Sequence, residues 1–416
     1  MSDTDSPPQA PSAKEQRENH LAEVALLFLR LGFTAFGGPA AHIAMMREEV
    51  VRRRKWISGE RFIDLMSVTT LIPGPNSTEL AIYLGFVRAG WPGLIIAGTC
   101  FIGPAMLIVM ALAWAYVAYG SLPQVGWLFY GIKPVVIAII AAVLVGLGRT
   151  TLRSVWPVVL AVLVLGLYLF GINTIALLFG GALLFGIIRW SERMYKQRRK
   201  QGEEIGSFFL PLSLAGIKEL WQHISIAKVG AGIAAVAAAT VPYSLPLLFL
   251  TFLKIGGTLY GSGYVILAFL RPDFVVNFHW LTDRQLLDAV SIGQFTPGPV
   301  FTTATFIGFV VGGWQGALVA TLGIFLPSFV FIAIIHPLAT TLRRSSWTST
   351  LLDGLNIAAV ALMAGVLFQL GRSALIDVVT WVVALIAFAV LLRFKINSAW
   401  LILAGAAIGL VRFWVF

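Results

Sequence analysis

The chain has 416 residues, 58% of them hydrophobic and 12% charged, with a formal net charge of +11. Soluble globular proteins carry about 25% charged residues, so half that share, at a mean hydropathy of +0.87, argues against a water-soluble enzyme or nucleic-acid binder. With one cysteine, Cys100, and five histidines that are not at ligand spacing, neither an intramolecular disulfide nor a metal site is expected, and no cofactor.

Residues 1–20 are polar, lack the apolar centre of a secretory signal and read as a disordered tail. Residues 21–190 form a first transmembrane repeat. Apolar runs such as 94–118, 135–148 and 155–170 are long enough, singly or with their flanks, to cross a hydrocarbon core as helices. Their Gly, Ala and Leu do not alternate with polar residues, which argues against a β-barrel. Residues 191–226 read as a basic cytoplasmic linker, 227–243 as a candidate connecting span, and 244–416 as a second repeat with a further long run at 378–392. The basic residues lie between apolar segments, as the positive-inside rule predicts. The expected fold is therefore all-α: a polytopic, multi-pass protein of a bacterial inner membrane, surrounded by lipid.

The two halves repeat. A shift of 224 positions pairs 28–75 with 252–299 without a gap. FLRLGFTAFGG meets FLKIGGTLYGS, and Arg47, Trp56, Asp64 and Pro73-Gly74-Pro75 meet Arg271, Trp280, Asp288 and Pro297-Gly298-Pro299. One residue is then lost, and GFVRAGWPG meets GFVVGGWQG, with Pro104 on Pro327. Loop charge changes sides between the halves. Residues 47–55 carry five basic residues against one in 271–279, whereas 119–124 has none against Arg343 and Arg344. That pattern predicts an inverted repeat, although Arg149 and Arg372 are basic in both halves. Inversion needs an odd number of crossings, a role assigned to 227–241. If that run lay along the membrane surface, the duplication would be parallel.

Each half has two helix breaks: Phe36-Gly37-Gly38-Pro39 and Pro73-Gly74-Pro75 in the first, Tyr260-Gly261-Ser262-Gly263 and Pro297-Gly298-Pro299 in the second. Gly loosens the backbone and Pro removes a donor, and such a break survives in a membrane only against protein or a wet cavity. Residues 58–87 predict two short helices meeting at PGP, each about 20 Å long. A re-entrant hairpin or a discontinuous span fits, and the basic flanks favour the hairpin. The second helix starts at Asn76-Ser77-Thr78-Glu79, matched by Val300-Phe301-Thr302-Thr303. A helix start suits an anion; the competing reading is ordinary capping with Glu79 in a capping box.

Arg30 and Lys254 are equivalent cations before the first break. A cation at membrane depth faces a partner or cavity, so the two are expected to converge on an anion at the repeat interface, or else to snorkel. Thr34 and Thr258 lie one turn onward and add donors. His42 and Glu79 are unrepeated and are proton-coupling candidates, with helix packing as the alternative for His42. Lys133 and His336 are weaker candidates. Asp64 and Asp288 read as caps or ion-pair partners, Arg47 and Arg271 as entrance or anchor residues.

FGGPAAHIAMM (36–46), the charged stretch ending in KWIS, LIPGPNSTELAIYLG (71–85) and QFTPGPVFTTATFIG (294–308) resemble the chromate ion transporter family over essentially the whole chain after the tail. The resemblance implies a long-chain, two-domain member whose relatives export chromate and confer resistance. The second half departs at Gly261-Ser262-Gly263 and lacks NSTE, so site roles carry over mainly to the first half. The expected mechanism is alternating access around Arg30, Lys254 and the helix starts at Asn76 and Val300. The expected binding set is Arg30, Thr34, Gly37, Gly38, His42, Pro73, Gly74, Pro75, Asn76, Ser77, Thr78 and Glu79, with Lys254, Thr258, Pro297, Gly298, Pro299, Thr302 and Thr303. The partner is a chromate or sulfate dianion, with a homodimer as an option and no nucleic acid. Rivals are a proton-coupled sulfate or general oxyanion transporter, an anion channel, and a membrane-embedded reductase, which the lack of any cofactor motif disfavours. No P-loop is present.

Overall fold

A computed structural model describes residues 13–200, 241–261, 263–344, 346–394 and 396–415. The tail before residue 13, the linker beyond Lys200 and the candidate connecting span up to residue 240 lie outside the described residues. The first half runs α1 (Ala13–Thr34), α2 (Gly38–Arg47), a π-helical turn (Glu48–Arg53), α3 (Gly59–Thr69), α4 (Asn76–Tyr119), α5 (Pro123–Thr151), α6 (Val155–Leu169) and α7 (Thr174–Lys200). The second half repeats this order. It runs α8 (Leu245–Thr258), α9 (Ile266–Leu270), a π-helical turn (Arg271–Asn277), α10 (Asp283–Phe295), α11 (Thr303–Arg344), α12 (Ser346–Ala374), α13 (Val378–Arg393) and α14 (Ser398–Val415).

Among the described residues, five stretches are long and apolar enough to cross a membrane: 76–119, 123–151, 174–194, 300–336 and 347–374. Two expected boundaries move. Residues 13–20, assigned to a disordered tail, belong to α1, and residues 191–200, assigned to the linker, extend α7. Both stretches are rich in Glu, Gln, Lys and Arg, which continue a helix at little cost, and Arg189 pairs with Glu192 one turn on, at 3.3 Å.

Glu23 of α1 shows which helices return to the face they came from. Its carboxylate accepts from Arg54 just past the π-helical turn (3.3 Å), from Trp56 (2.8 Å) and from Arg88 (2.7 Å). The start of α1, the exit of α2 and the stretch of α4 around Arg88 therefore share one face, and the tips at 35–38 and 73–75 point inward. Both elements are hairpins whose two ends lie on that face. After Arg88 the chain reverses at Ala89-Gly90, where Gly90 has φ +66. α4 is thus a short arm (76–88) and a long arm (91–119) packed antiparallel, with Gly85 against the Gly93 carbonyl. The second half repeats the reversal at Gly312-Gly313 and the contact at Gly308 and Gly316.

The halves meet end to end. Tyr83, near the close of the short arm of α4, hydrogen bonds to His336, far along α11 (3.1 Å). Tyr116, far along α4, donates to Asp288 of α10 (2.9 Å). Beyond these arms the halves exchange helices: α5 packs against α13 and α14, and α12 against α6 and α7. Gly131 sits on Gly405 in one exchange and Gly354 on Ala182 in the other. Small residues let backbones approach where lipid supplies no hydrophobic drive between helices.

This packing can be tested at single glycines. Gly131→Ala drives a methyl into the Gly405 carbonyl and is expected to cost about 1–3 kcal/mol, lowering the thermal midpoint of the detergent-purified protein. Gly103→Ala meets open space and leaves the midpoint unchanged or raises it. At the rim, partial burial pushes the Glu23 carboxyl up, but its hydrogen bonds from Trp56 and Arg88 outweigh this and hold it below the usual carboxylate value of 4.5. Its contribution is therefore complete above that value and lost as pH falls through the lowered one. Melting curves of wild type and Glu23→Gln should differ at neutral pH and converge in acid.

Candidate functional site

The two PGP loops lie at the centre of the molecule, with all six residues buried. Gly74 (φ +135) and Gly298 (φ +89) hold left-handed conformations that a side chain resists. Each glycine N–H crosses to the other half. Gly74 donates to the Leu259 carbonyl at the end of α8, and Gly298 donates to the Ala35 carbonyl at the end of α1, both at 2.8 Å. These carbonyls are freed where α1 and α8 break, so each PGP loop satisfies the break of the opposite half.

Beside the first loop lies a cavity of about 290 Å³ lined by Thr70, Asn76, Leu147, Thr150, Thr151, Gly261, Val265, Asn356, Ala359 and Val360. Its walls come from the end of α3, the start of α4, the end of α5, the break after α8 and the middle of α12, so both halves build it. The polar lining consists of hydroxyls and amides with no carboxylate, beside the positive end of the α4 short arm. That composition accepts an anion.

Behind Asn76, the next three residues are buried. The capping box of the competing reading is absent: no side-chain cap hydrogen bond is present at the α4 start among the described residues, and the Thr78 and Glu79 amides bond to the Pro75 carbonyl. Proline at the cap position has no side-chain acceptor, which frees the Glu79 carboxyl to turn inward. Its Oε1 accepts from Ser328 of α11 at 3.4 Å, while Glu79 Oε2 and Thr78 Oγ1 have no hydrogen-bond partner among the described residues. His42 of α2 is buried with Nε2 3.0 Å from the Ala35 carbonyl and Nδ1 3.4 Å from Ser77 Oγ. It links the α1 break, the α4 start and, through Ala35, the second PGP loop.

Other expected site residues are placed differently. Arg30 and Lys254 do not converge. Arg30 pairs with Glu49 at 2.7 Å and Lys254 with Asp273 at 2.6 Å, and these acids are themselves repeat mates. Each cation is matched inside its own hairpin, because an acid on the returning arm is nearer than the other half. Thr34 and Thr258 spend their hydroxyl protons on the carbonyls of Arg30 and Lys254, each at 2.7 Å. Gly37 and Gly38 form the tip of the α1–α2 hairpin, with Gly37 against Asn397. Thr302 and Thr303 donate to Pro299 and Val300, each at 2.8 Å.

Lys254 lines a second cavity of about 330 Å³, together with Tyr168, Asn173, Arg271 and Asp273. No cluster of three or more His, Cys, Asp or Glu side chains exists among the described residues. Sequence reasoning missed Thr70, Thr150 and Asn356, whose only signal was a polar residue at or beside an apolar run. It also missed the Glu49 and Asp273 pairing, which the 224-residue offset displays directly.

The central glycines admit a direct test. Gly74→Ala or Gly298→Ala forces a side chain into a left-handed conformation and presses it on Glu79 and Ser328, or on Ala105. Each is expected to cost about 1–3 kcal/mol, read as a lower thermal midpoint. Gly171→Ala, also left-handed (φ +84) but in open space, is expected to lower it less.

The family description "Chromate transporter" matches residues 22–187 and again 246–410, the two halves seen in the fold. The chain is 32% identical to the chromate transport protein of Cupriavidus metallidurans, covering 94% of this chain and 93% of that one. It is also 32% identical to a probable chromate transport protein of Synechococcus elongatus (95% and 96% covered). Identity to the chromate transport protein of Pseudomonas aeruginosa is 30% (93% and 91% covered). No solved structure matches significantly. Two helical halves built around paired broken helices, each matched by the same family, make this chain a multi-pass membrane protein of the chromate transporter family.

Proposed function

We propose that the protein carries chromate out of the cell by alternating access through the cavity at the start of α4, and thereby confers chromate resistance. The observation that carries this reading is a carboxylate-free polar cavity, built by both halves at a helix break. The three relatives above bear chromate transport in their names. The face shared by Arg54 and Arg88 also holds the end of α5, with Arg149 and Arg153, and is cytoplasmic by the positive-inside rule. Thr150 and Thr151 lie at that end of α5, so the cavity opens inward. The halves run in opposite directions at the Tyr83–His336 and Tyr116–Asp288 contacts, which supports an inverted repeat and a rocking cycle around a central site.

The driving force is available without ATP. Moving one charge through 100 mV is worth about 2.3 kcal/mol, so a dianion leaving a negative interior gains roughly 4.6 kcal/mol. Sulfate has the same shape and charge and competes for the same cavity. One observation favours a second reading, proton-coupled oxyanion transport: the Glu79 carboxyl is buried next to Asn76 and Thr78, and one of its oxygens has no hydrogen-bond partner among the described residues.

Inside-out vesicles with an interior-positive potential should accumulate chromate, with sulfate competing and Asn76→Leu or Asn356→Leu reducing uptake about tenfold, the value of 1.4 kcal/mol of lost interaction. Arg30→Ala should retain substantial uptake, because Arg30 braces a hairpin. Uptake that starts only with a pH gradient and disappears in Glu79→Gln would transfer the assignment to proton coupling.

A further inference from the structure

The two halves of the site are not in the same state. In the later part of the repeat the offset is 223 residues: VLVGLGR (143–149) falls on VLFQLGR (366–372), and Lys133 falls on Asn356. The earlier offset places Gln294 on Thr70 and Val300 on Asn76. Thr70, Asn76 and Asn356 line the open cavity. Their mates are closed in: Lys133 is 8% exposed, Gln294 7% and Val300 6%.

Lys133 sits in a polar cluster. Lys133 Nζ lies 3.0 Å from Asp288 Oδ1, and the Tyr116 hydroxyl donates to Asp288 Oδ2 at 2.9 Å. The Gln294 side-chain N–H₂ has no acceptor among the described residues. Neither feature is what stability alone selects. A buried ion pair is commonly no better than packed apolar residues, and a buried amide without an acceptor costs free energy. Both groups suit an oxyanion. The amide has a donor to give, and Lys133 has a charge that Asp288 holds in the absence of a better anion.

On the carrier reading above, we propose that Lys133 and Gln294 are substrate-contacting residues of the outward-open half of the site. Asp288 holds Lys133 until the dianion replaces it, and recaptures it on release. When the second half adopts the arrangement now seen in the first, α5 withdraws from α10 as α12 stands off from α3 here. Lys133 and Gln294 then line an outward cavity as Asn356 and Thr70 line the inward one. A cation on the exit side draws a dianion from a neutral entry cavity, and the return of Asp288 displaces it.

The test uses the full chain in liposomes, with a Val300→Cys reporter in a Cys100→Ser background and a membrane-impermeant maleimide added outside. Asp288→Asn is expected to speed labelling at least tenfold, and chromate to slow it with Lys133 present but not in Lys133→Gln. Chromate flux should fall at least thirtyfold in Lys133→Gln and severalfold in Gln294→Leu, with binding from the inner face unchanged, while Lys133→Arg keeps at least a third. Wild-type flux in Lys133→Gln would overturn the proposal, as would full recovery in the exchanged pair Lys133→Asp with Asp288→Lys, which marks a merely structural bridge. Labelling that stays equally slow in every variant would overturn it while leaving chromate transport intact. The same pattern with sulfate and no chromate flux would uphold it and retire chromate as the substrate.

Discussion

Two backbone hydrogen bonds, Gly74 N–H to Leu259 and Gly298 N–H to Ala35, hold the architecture together. A helix that stops inside an apolar layer leaves carbonyls that water cannot reach, and each buried polar group without a partner costs about 1–3 kcal/mol. Proline cannot supply the missing donor. The glycine between two prolines can, and its freedom to adopt positive φ lets the loop present its N–H sideways. Because the acceptor belongs to the other half, each break draws a donor from its partner, with His42 as a second contact on Ala35 from the same half.

That constraint decides where the chemistry lies. Four helix ends meet at one place, so the start of α4, the break after α8, His42 and Glu79 are neighbours, although they span more than two hundred residues of chain. The intramembrane cations lie elsewhere. Arg30 and Lys254 hold each descending arm to its returning arm through Glu49 and Asp273, and the Glu23 cluster ties the hairpin bases along the basic face. Charge braces the hairpins from their flanks, and the buried Lys133–Asp288 pair joins α5 to α10.

The departures from symmetry are as informative as the symmetry. Most mates are alike in role: Arg30 and Lys254, Glu49 and Asp273, Gly85 and Gly308, Gly131 and Gly354. Others differ. At the candidate site Asn76 is matched by Val300, Glu79 by Thr303, Asn356 by Lys133 and Ala105 by Ser328, and at the rim Glu23, Arg54 and Arg88 are matched by Leu247, Phe278 and Val311.

Composition, a fixed offset and loop charge are local or additive properties, legible one residue at a time. They sufficed for the all-helical membrane class, the duplication and the four breaks. Asn76 and Glu79 also stood out in the chain, since a polar run directly after PGP interrupts sequence that is otherwise apolar. Arg30 and Lys254 were misplaced, because their partners depend on how far each hairpin returns, and distance along a chain does not encode that. Asn356 and Gln294 were silent and Lys133 ranked among the weaker candidates, since one polar residue in an apolar helix reads the same whether it packs, pairs or lines a cavity. Which half stands open emerged from the folded molecule alone, because opening is a relation between α3, α5, α10 and α12 that no single segment carries.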